Sequence, residues 1–189
     1  MVITINIITF EKLDLNLHME LMKKWLNDKD VQHFYHGNDS EFNENQIKTK
    51  YKCRENGEDS VFGMIINYEE NHIGYIQYYE ITDDIKMFFG LNENEGFYHA
   101  FDVFIGEKEY WNRGIGSEIV RSMLFFIFNS IKSESVFIDP QCWNKRAINC
   151  YKKCGFSPVK VLKENELHEG EYIDNLLMRI DKKYFLQIT

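Results

Sequence analysis

The segment Phe101 to Ser117, FDVFIGEKEYWNRGIGS, constrains the fold more than any other part of the chain. It begins as an apolar strand interrupted by one carboxylate, Asp102. It passes through a polar turn into Arg113-Gly114-Ile115-Gly116-Ser117 and then opens an apolar-periodic run, Glu118 to Phe128. A strand, a glycine turn and a helix start in that order make an anion cradle, because the first amide N–H groups of a helix lack partners within it. Gly114 and Gly116 let the backbone approach a ligand, and Arg113 adds a positive charge. Taken alone, the turn also reads as a plain helix entry that needs small residues. It is not a Walker loop, since no Gly-Lys-Ser/Thr follows. It is not a dinucleotide fingerprint either, since Ile119 stands where the third glycine belongs.

The rest of the chain alternates strand and helix signals. Val2 to Phe10 reads as a strand. Leu13 to Leu26 reads as a helix with Asp14 as N-cap and with Leu17, Leu21 and Trp25, joined by Leu13, on its apolar stripe. Val31–Tyr35 and Glu44–Arg54 follow as helices. Ser60–Tyr68 and His72–Glu80 form a hairpin. Thr82 to Gly96 reads as an irregular, acidic loop with two exposed aromatics, Phe88 and Phe89. Phe97–Ile105 is a strand, Ile115–Ile131 a helix, Ser135–Ile138 a strand, Asn144–Cys154 a helix, and Phe156–Leu162 and Tyr172–Ile180 strands. Lys163 to Glu171 reads as an acidic connector. No repeat or linker interrupts the order, so the expectation is one α+β domain over residues 1–189, a mixed sheet flanked by helices.

Charge narrows the function. The formal net charge is −8 over 189 residues, which argues against nucleic acid as the main partner and admits a cationic substrate. The four cysteines, Cys53, Cys142, Cys150 and Cys154, include one close pair and no second, so the expectation is reduced thiols and no metal. No apolar run reaches the ~20 residues of a membrane helix, and the first residues lack a signal-peptide pattern. The expected setting is therefore cytoplasmic, with no membrane partner. The sequence carries no signal for an oligomeric state.

A second segment, Asn144 to Phe156 (NKRAINCYKKCGF), gives the first its meaning. Alone it is an amphipathic helix with Ala147, Ile148, Tyr151 and Cys154 on one face, and its tyrosine reads as core. Together, the strand, the Arg-Gly-x-Gly turn, the helix, the short strand and N-x-x-A-x-x-x-Y-x-x-x-G-F resemble the GNAT superfamily of acetyl-CoA-dependent N-acetyltransferases. Further stretches resemble its aminoglycoside 6′-N-acetyltransferase branch, notably the acetyltransferase domains of bifunctional aminoglycoside-modifying enzymes of Gram-positive cocci. These are Lys24–Asp28, Phe34–Gly37, Ile73–Gln77, Asp102–Glu107, Tyr110–Gly116, Asp139-Pro140 and Glu166–Gly170. One residue departs from the superfamily: Trp111 stands where Gln or Arg usually opens the turn.

The resemblance implies a mostly antiparallel sheet splayed at the cofactor strand, acetyl-CoA as co-substrate and an aminoglycoside as acceptor. It implies that Asp102 handles the substrate amine, as base or as ammonium anchor, and that Tyr151 protonates the leaving thiolate. Val103, Phe104 and Ile105 would pair with pantetheine. Arg113, Gly114, Ile115, Gly116 and Ser117 would hold the pyrophosphate, and Asn144 would contact the cofactor. Trp25, Phe34, Tyr35, Gln77, Asp102 and Asp139 would line the substrate cleft. Beyond the resemblance, the acidic stretches holding Asp83, Asp84, Glu93, Glu95, Glu166, Glu169 and Glu171 read either as solvated faces or as walls that reach a cationic substrate.

Overall fold

A computed structural model describes residues 7–37, 41–58, 60–91 and 96–188. Its strands are β1 (Ile8–Lys12), β2 (Val61–Tyr68), β3 (Asn71–Glu80), β4 (Tyr98–Ile105), β5 (Ser135–Ile138), β6 (Ser157–His168) and β7 (Glu171–Asp181). They form one sheet in the order β1-β2-β3-β4-β5-β7-β6. Only β4 and β5 run parallel; every other pair is antiparallel. The helices are α1 (Leu15–Leu26), α2 (Lys29–Tyr35), α3 (Glu44–Asn56), α4 (Asp83–Phe89), α5 (Ile115–Phe126), α6 (Lys145–Lys153) and α7 (Lys182–Ile188). The α+β expectation holds.

Period-two alternation on β4 divides the core. Phe101, Val103 and Ile105 face a cluster formed with α5 and α6, through Ile115, Ile119, Met123, Ile148 and Tyr151. Phe104 faces a second cluster with Trp25, Ile47, Tyr51 and Tyr75, covered by α1–α3. Asp102 shares the parity of Phe104, so its carboxylate stands in a position that the pattern reserves for an apolar residue. On β3 its cross-strand neighbour is Gln77, between Tyr75 opposite Phe104 and Tyr79 opposite Ala100.

The strand β4 pairs with β5 only at Tyr98–Ser135, His99–Val136 and Ala100–Phe137. Beyond Ala100 the two strands part, while β4 keeps its β3 partners through Ile105. The expected splay is therefore present, and it leaves one edge of Phe101–Ile105 outside the sheet ladder.

Four elements differ from the sequence reading. Asp83–Phe89 is a helix, not a loop; the acids Asp83 and Asp84 occupy its first turn, where the helix dipole favours them, and Gly90 ends it at φ 70°. Phe88 is exposed as expected, but Phe89 packs on Phe137 with centroids 5.7 Å apart. The acidic connector is mostly strand: β6 runs to His168 past an irregularity between Leu162 and Glu166, and only Glu169-Gly170 turns. On α1, Asp14 caps as expected, accepting from the Asn16 amide. Its buried face, however, is Leu15, His18, Met22, Trp25 and Leu26, and Leu17 is 70% exposed. The long helix after the glycine turn ends at Phe126 and loosens into a π-type turn, Ile127–Ile131. The N-terminal strand lies partly outside the described residues, and its described part is Ile8–Lys12.

Trp25 anchors α1 to the chain that follows β4. It is fully buried, and its indole N–H donates to Glu107 Oε1 at 2.8 Å. A Cβ on Gly106 would fall 2.2 Å from the indole Cγ. Gly106→Ala therefore costs about 1–3 kcal/mol of overpacking. Thermal denaturation followed by circular dichroism should show a Tm lower by several degrees. An unchanged Tm would mean that the indole does not hold this position.

Candidate active site

The parting of β4 and β5 opens a cleft of about 840 Å³. Side chains from helices and strands on both sides of the opening, and from the turns between them, line it. Asp102, Val103, Phe104 and Ile105 come from β4 and Gln77 from β3. Tyr35 comes from α2, Lys50 and Arg54 from α3, Ser117 from α5, and Cys150 and Tyr151 from α6. Asp139 enters at the end of β5, and Glu166 from the irregular part of β6.

Asp102 is held from behind. The Gln77 amide donates to Asp102 Oδ2 at 2.7 Å. The same Gln77 accepts at Oε1 from Arg54 Nη1 at 2.5 Å and from the Tyr75 hydroxyl at 2.9 Å. Two donors on the oxygen fix the amide so that its N–H₂ faces the carboxylate. Burial pushes the Asp102 carboxyl above the ordinary carboxylate range, and the negative charge of Glu166 adds to this. The Gln77 hydrogen bond and the charges of Arg54 and Lys50 pull the other way. Gln77 thus lines the cleft and also fixes the orientation of the Asp102 carboxylate. Arg54 and Lys50 carry no motif; what selects them is spacing, four apart on a helix whose buried residues are Ile47 and Tyr51.

Across the cleft, Glu166 accepts from Gln141 at 2.8 Å and from Asn175 at 3.0 Å. The Asn175 amide also donates to the Asp139 carbonyl at 2.7 Å, which ties the end of β5 to β7. Burial first, then the charges of Asp102 and Glu166, push the Asp139 carboxyl up to about 7. Three carboxylates therefore share a partly dehydrated space, in which the neighbouring charges raise the proton affinity of Asp102 and Asp139. A cation placed among them removes that penalty.

The Tyr151 phenol is buried on the α6 face of the cleft, 7% exposed. Burial, then the charges of Cys150, Asp102 and Asp139, push its pKa well above the ordinary tyrosine value, so it stays a proton donor. Asn144 caps α6, accepting from the Ala147 amide at 3.0 Å. Gly114 has φ 84°, which requires glycine, and a Cβ there would meet no atom within 4 Å. Gly114, Gly116 and Ser117 line the cleft with the first turn of α5, while the Ile115 side chain is buried in the core. Arg113 is exposed at the rim, over the Tyr110 ring at 5.5 Å.

The departure at Trp111 has a structural use. Its indole N–H donates to the Ile105 carbonyl at 2.9 Å, so that carbonyl of the splayed strand already has a partner. The Arg146 guanidinium lies 4.1 Å from the Phe34 ring and 4.4 Å from the Trp111 ring, closing one wall of the cleft. No sequence pattern pointed to Arg146.

Trp25 is a correction: it is wholly buried between α1 and Glu107 and does not reach the cleft. Of the acidic stretches, Glu166 lines the cleft, whereas Asp83 and Asp84 on α4 do not; Glu93 and Glu95 lie outside the described residues. Beside the lining residues, His33, His168 and Glu169 bring one possible ligand atom each within 4.8 Å of one another. The sequence reading, which looked only at cysteine spacing, did not foresee this grouping.

Comparison with known proteins places this geometry. The model of the acetyltransferase (GNAT) domain matches residues 14–163. Aminoglycoside N(6′)-acetyltransferase type 1 of Klebsiella pneumoniae is 23% identical over 138 residues, covering 73% of this chain and 68% of the relative. A solved complex of AAC(6′)-Ib with ribostamycin and coenzyme A superposes with TM-score 0.77 at 19% identity, over 95% of this chain and 96% of the other. Spermidine N-acetyltransferase from Vibrio cholerae, solved with CoA and spermine, gives TM-score 0.76 at 16% identity, over 96% and 99%.

The electrostatics predict a pH-dependent stability. The Asp139 carboxyl moves from an ordinary 3.8 to about 7 on folding. Below the lower value it is neutral in both states and costs nothing. As pH rises through that window the unfolded state ionises first, so stability falls until both forms are charged. Asp139→Asn should therefore raise Tm at pH 8 more than at pH 4. Equal differences at the two pH values would show that the carboxyl is not desolvated.

Proposed function

The chain belongs to the GNAT acetyltransferase family, and on that premise we propose that it moves the acetyl group of acetyl-CoA to the 6′-amine of an aminoglycoside. Such an enzyme confers antibiotic resistance and works in the cytoplasm. The observation that carries the acceptor class is the gathering of Asp102, Asp139 and Glu166 in one cleft. Three mutually repelling carboxylates suit a substrate with several ammonium groups. Its kinship in sequence and fold with aminoglycoside acetyltransferases supports this choice.

The residues fit acetyl-CoA. The open edge of Val103 and Phe104 suits the peptide-like pantetheine arm. The turn at Gly114–Ser117 offers the positive end of α5 to the pyrophosphate, with Arg113 at the rim. Acetyl-CoA supplies the activated thioester. In the reaction the neutral amine attacks the thioester carbonyl, and the carbon–sulfur bond breaks. Asp102 takes the proton that the ammonium must lose, and its raised pKa brings it closer to the working pH of a base. Tyr151 returns a proton to the departing thiolate. Tyr35, Asp139 and Glu166 hold the remainder of the acceptor.

A second acceptor class is a linear polyamine. The fold shared with a spermidine N-acetyltransferase favours it, and the same carboxylates would serve. The deciding experiment is acetyl-CoA turnover against aminoglycosides with and without a 6′-amine, alongside spermidine. The proposal expects turnover only of compounds that carry the 6′-amine. Preference for spermidine would replace the acceptor, and turnover of aminoglycosides lacking that amine would remove the regiochemistry.

Two substitutions test the roles. Asp102→Asn should lower kcat/KM by at least about tenfold, in the range of general-base loss. Near-normal turnover would remove Asp102 from the chemistry. Tyr151→Phe should lower kcat more than it raises KM for acetyl-CoA; a change in KM alone would make Tyr151 a packing residue.

A further inference from the structure

Under the glycine turn lies a pair of thiols that the acetyl transfer does not use. Cys150 lines the cleft and is half-buried. Its sulfur lies 3.4 Å from Ser117 Oγ, and a Cβ on Gly116 would stand 3.6 Å from it. Cys154, one turn on and fully buried, donates from Sγ to the Ser117 carbonyl at 3.5 Å. Both thiols thus meet Ser117, in the first turn of α5. The other cysteines, Cys53 on α3 and Cys142 ahead of α6, do not line the cleft.

We propose that Cys150 is a site of reversible covalent modification by low-molecular-weight disulfides, and that the adduct fills the cradle meant for the cofactor's phosphates. The blocking half of this statement rests on the acetyl-CoA reading above; the reactivity of the thiol does not.

The nucleophile in such exchange is the thiolate. The adjacent Cys154 thiol lowers the Cys150 pKa, as do the Ser117 hydroxyl and the charges of Arg121 and Lys153, while burial opposes them. Cys154 responds in the opposite direction and stays a protonated donor. The Cys150 sulfur attacks one sulfur of the incoming disulfide. A new sulfur–sulfur bond forms, the old one breaks, and one half leaves as thiolate with the electron pair. An external thiol reverses the step. The attached half has to lie in the cleft, because Cys150 opens onto it and otherwise packs against the core.

The probe is the aromatic disulfide 5,5′-dithiobis(2-nitrobenzoate), with thiolate release read by absorbance and the site by peptide mass mapping. At pH 7, Cys150 should react at least about tenfold faster than Cys142. Saturating acetyl-CoA, which carries no free thiol, should slow the Cys150 reaction by a similar factor. Calorimetry should show acetyl-CoA binding to untreated protein, its loss on modification, and its return after treatment with dithiothreitol and removal of the reductant. Cys150→Ser should abolish the fast phase. A Cys150 no faster than Cys142, or a modified protein that keeps its acetyl-CoA affinity, overturns the proposal. Fast modification of Cys150 in a protein that never binds acetyl-CoA overturns the cofactor reading and the blocking role, while the modification site itself stands.

Discussion

The site depends on one defect in the sheet, the parting of β4 from β5 after the Ala100–Phe137 pair. Parallel strands are ordinarily buried and fully paired. Here β3 supports β4 to Ile105 on one edge while the other edge opens into a cleft. An unpaired strand edge is costly in a dry core and useful beside a ligand that brings its own amides. The same opening separates Asp102 on β4 from Asp139 at the end of β5, so the acids lie on opposite banks. The chain after β4 then returns as α5 and points its N-terminus into the gap. The open strand edge, the facing carboxylates and the start of α5 therefore share one geometric origin.

Features governed by local order were visible in the sequence. Strand, glycine turn and helix follow one another within Phe101–Ser117, so the cradle could be read residue by residue. Asp14 could be read as a cap because its side chain needs to reach only Asn16. Features governed by distant contacts were not visible. Of the stripe expected for α1, Leu13 and Trp25 are buried and Leu21 packs beside them, but Leu17 recurs at the same spacing and is exposed, while Leu15, Met22 and Leu26 join the core in its place. Trp25 was assigned to the cleft by resemblance, but the absence of a side chain at Gly106 draws it into the core.

The region from Thr82 to His168 shows a second reason. Acids and exposed aromatics made Asp83–Phe89 look irregular, yet first-turn acids favour a helix start as much as a loop. The stretch after Leu162 is charged on a strand exposed along one face, and charge density hid its extension to His168. The register irregularity between Leu162 and Glu166, with Glu164 at φ 50°, turns Glu166 into the cleft beside Asn165. Bulges re-aim side chains in this way and leave little trace in composition.

The wiring of Asp102 shows why Arg54 stands one residue removed from it. A guanidinium in direct contact with the carboxylate would hold it ionised and far below neutrality, and would compete with any incoming ammonium. Here the guanidinium bonds to Gln77 Oε1 instead, and only the amide N–H₂ of Gln77 reaches Asp102. The amide transmits orientation, since its two ends cannot exchange while Tyr75 and Arg54 both donate to the oxygen. It transmits little charge, because a neutral group lies between. Burial can then raise the Asp102 pKa against the weaker pull of Arg54 and Lys50. The result is a carboxylate that is rigid without being neutralised, as the proposed base or ammonium anchor has to be.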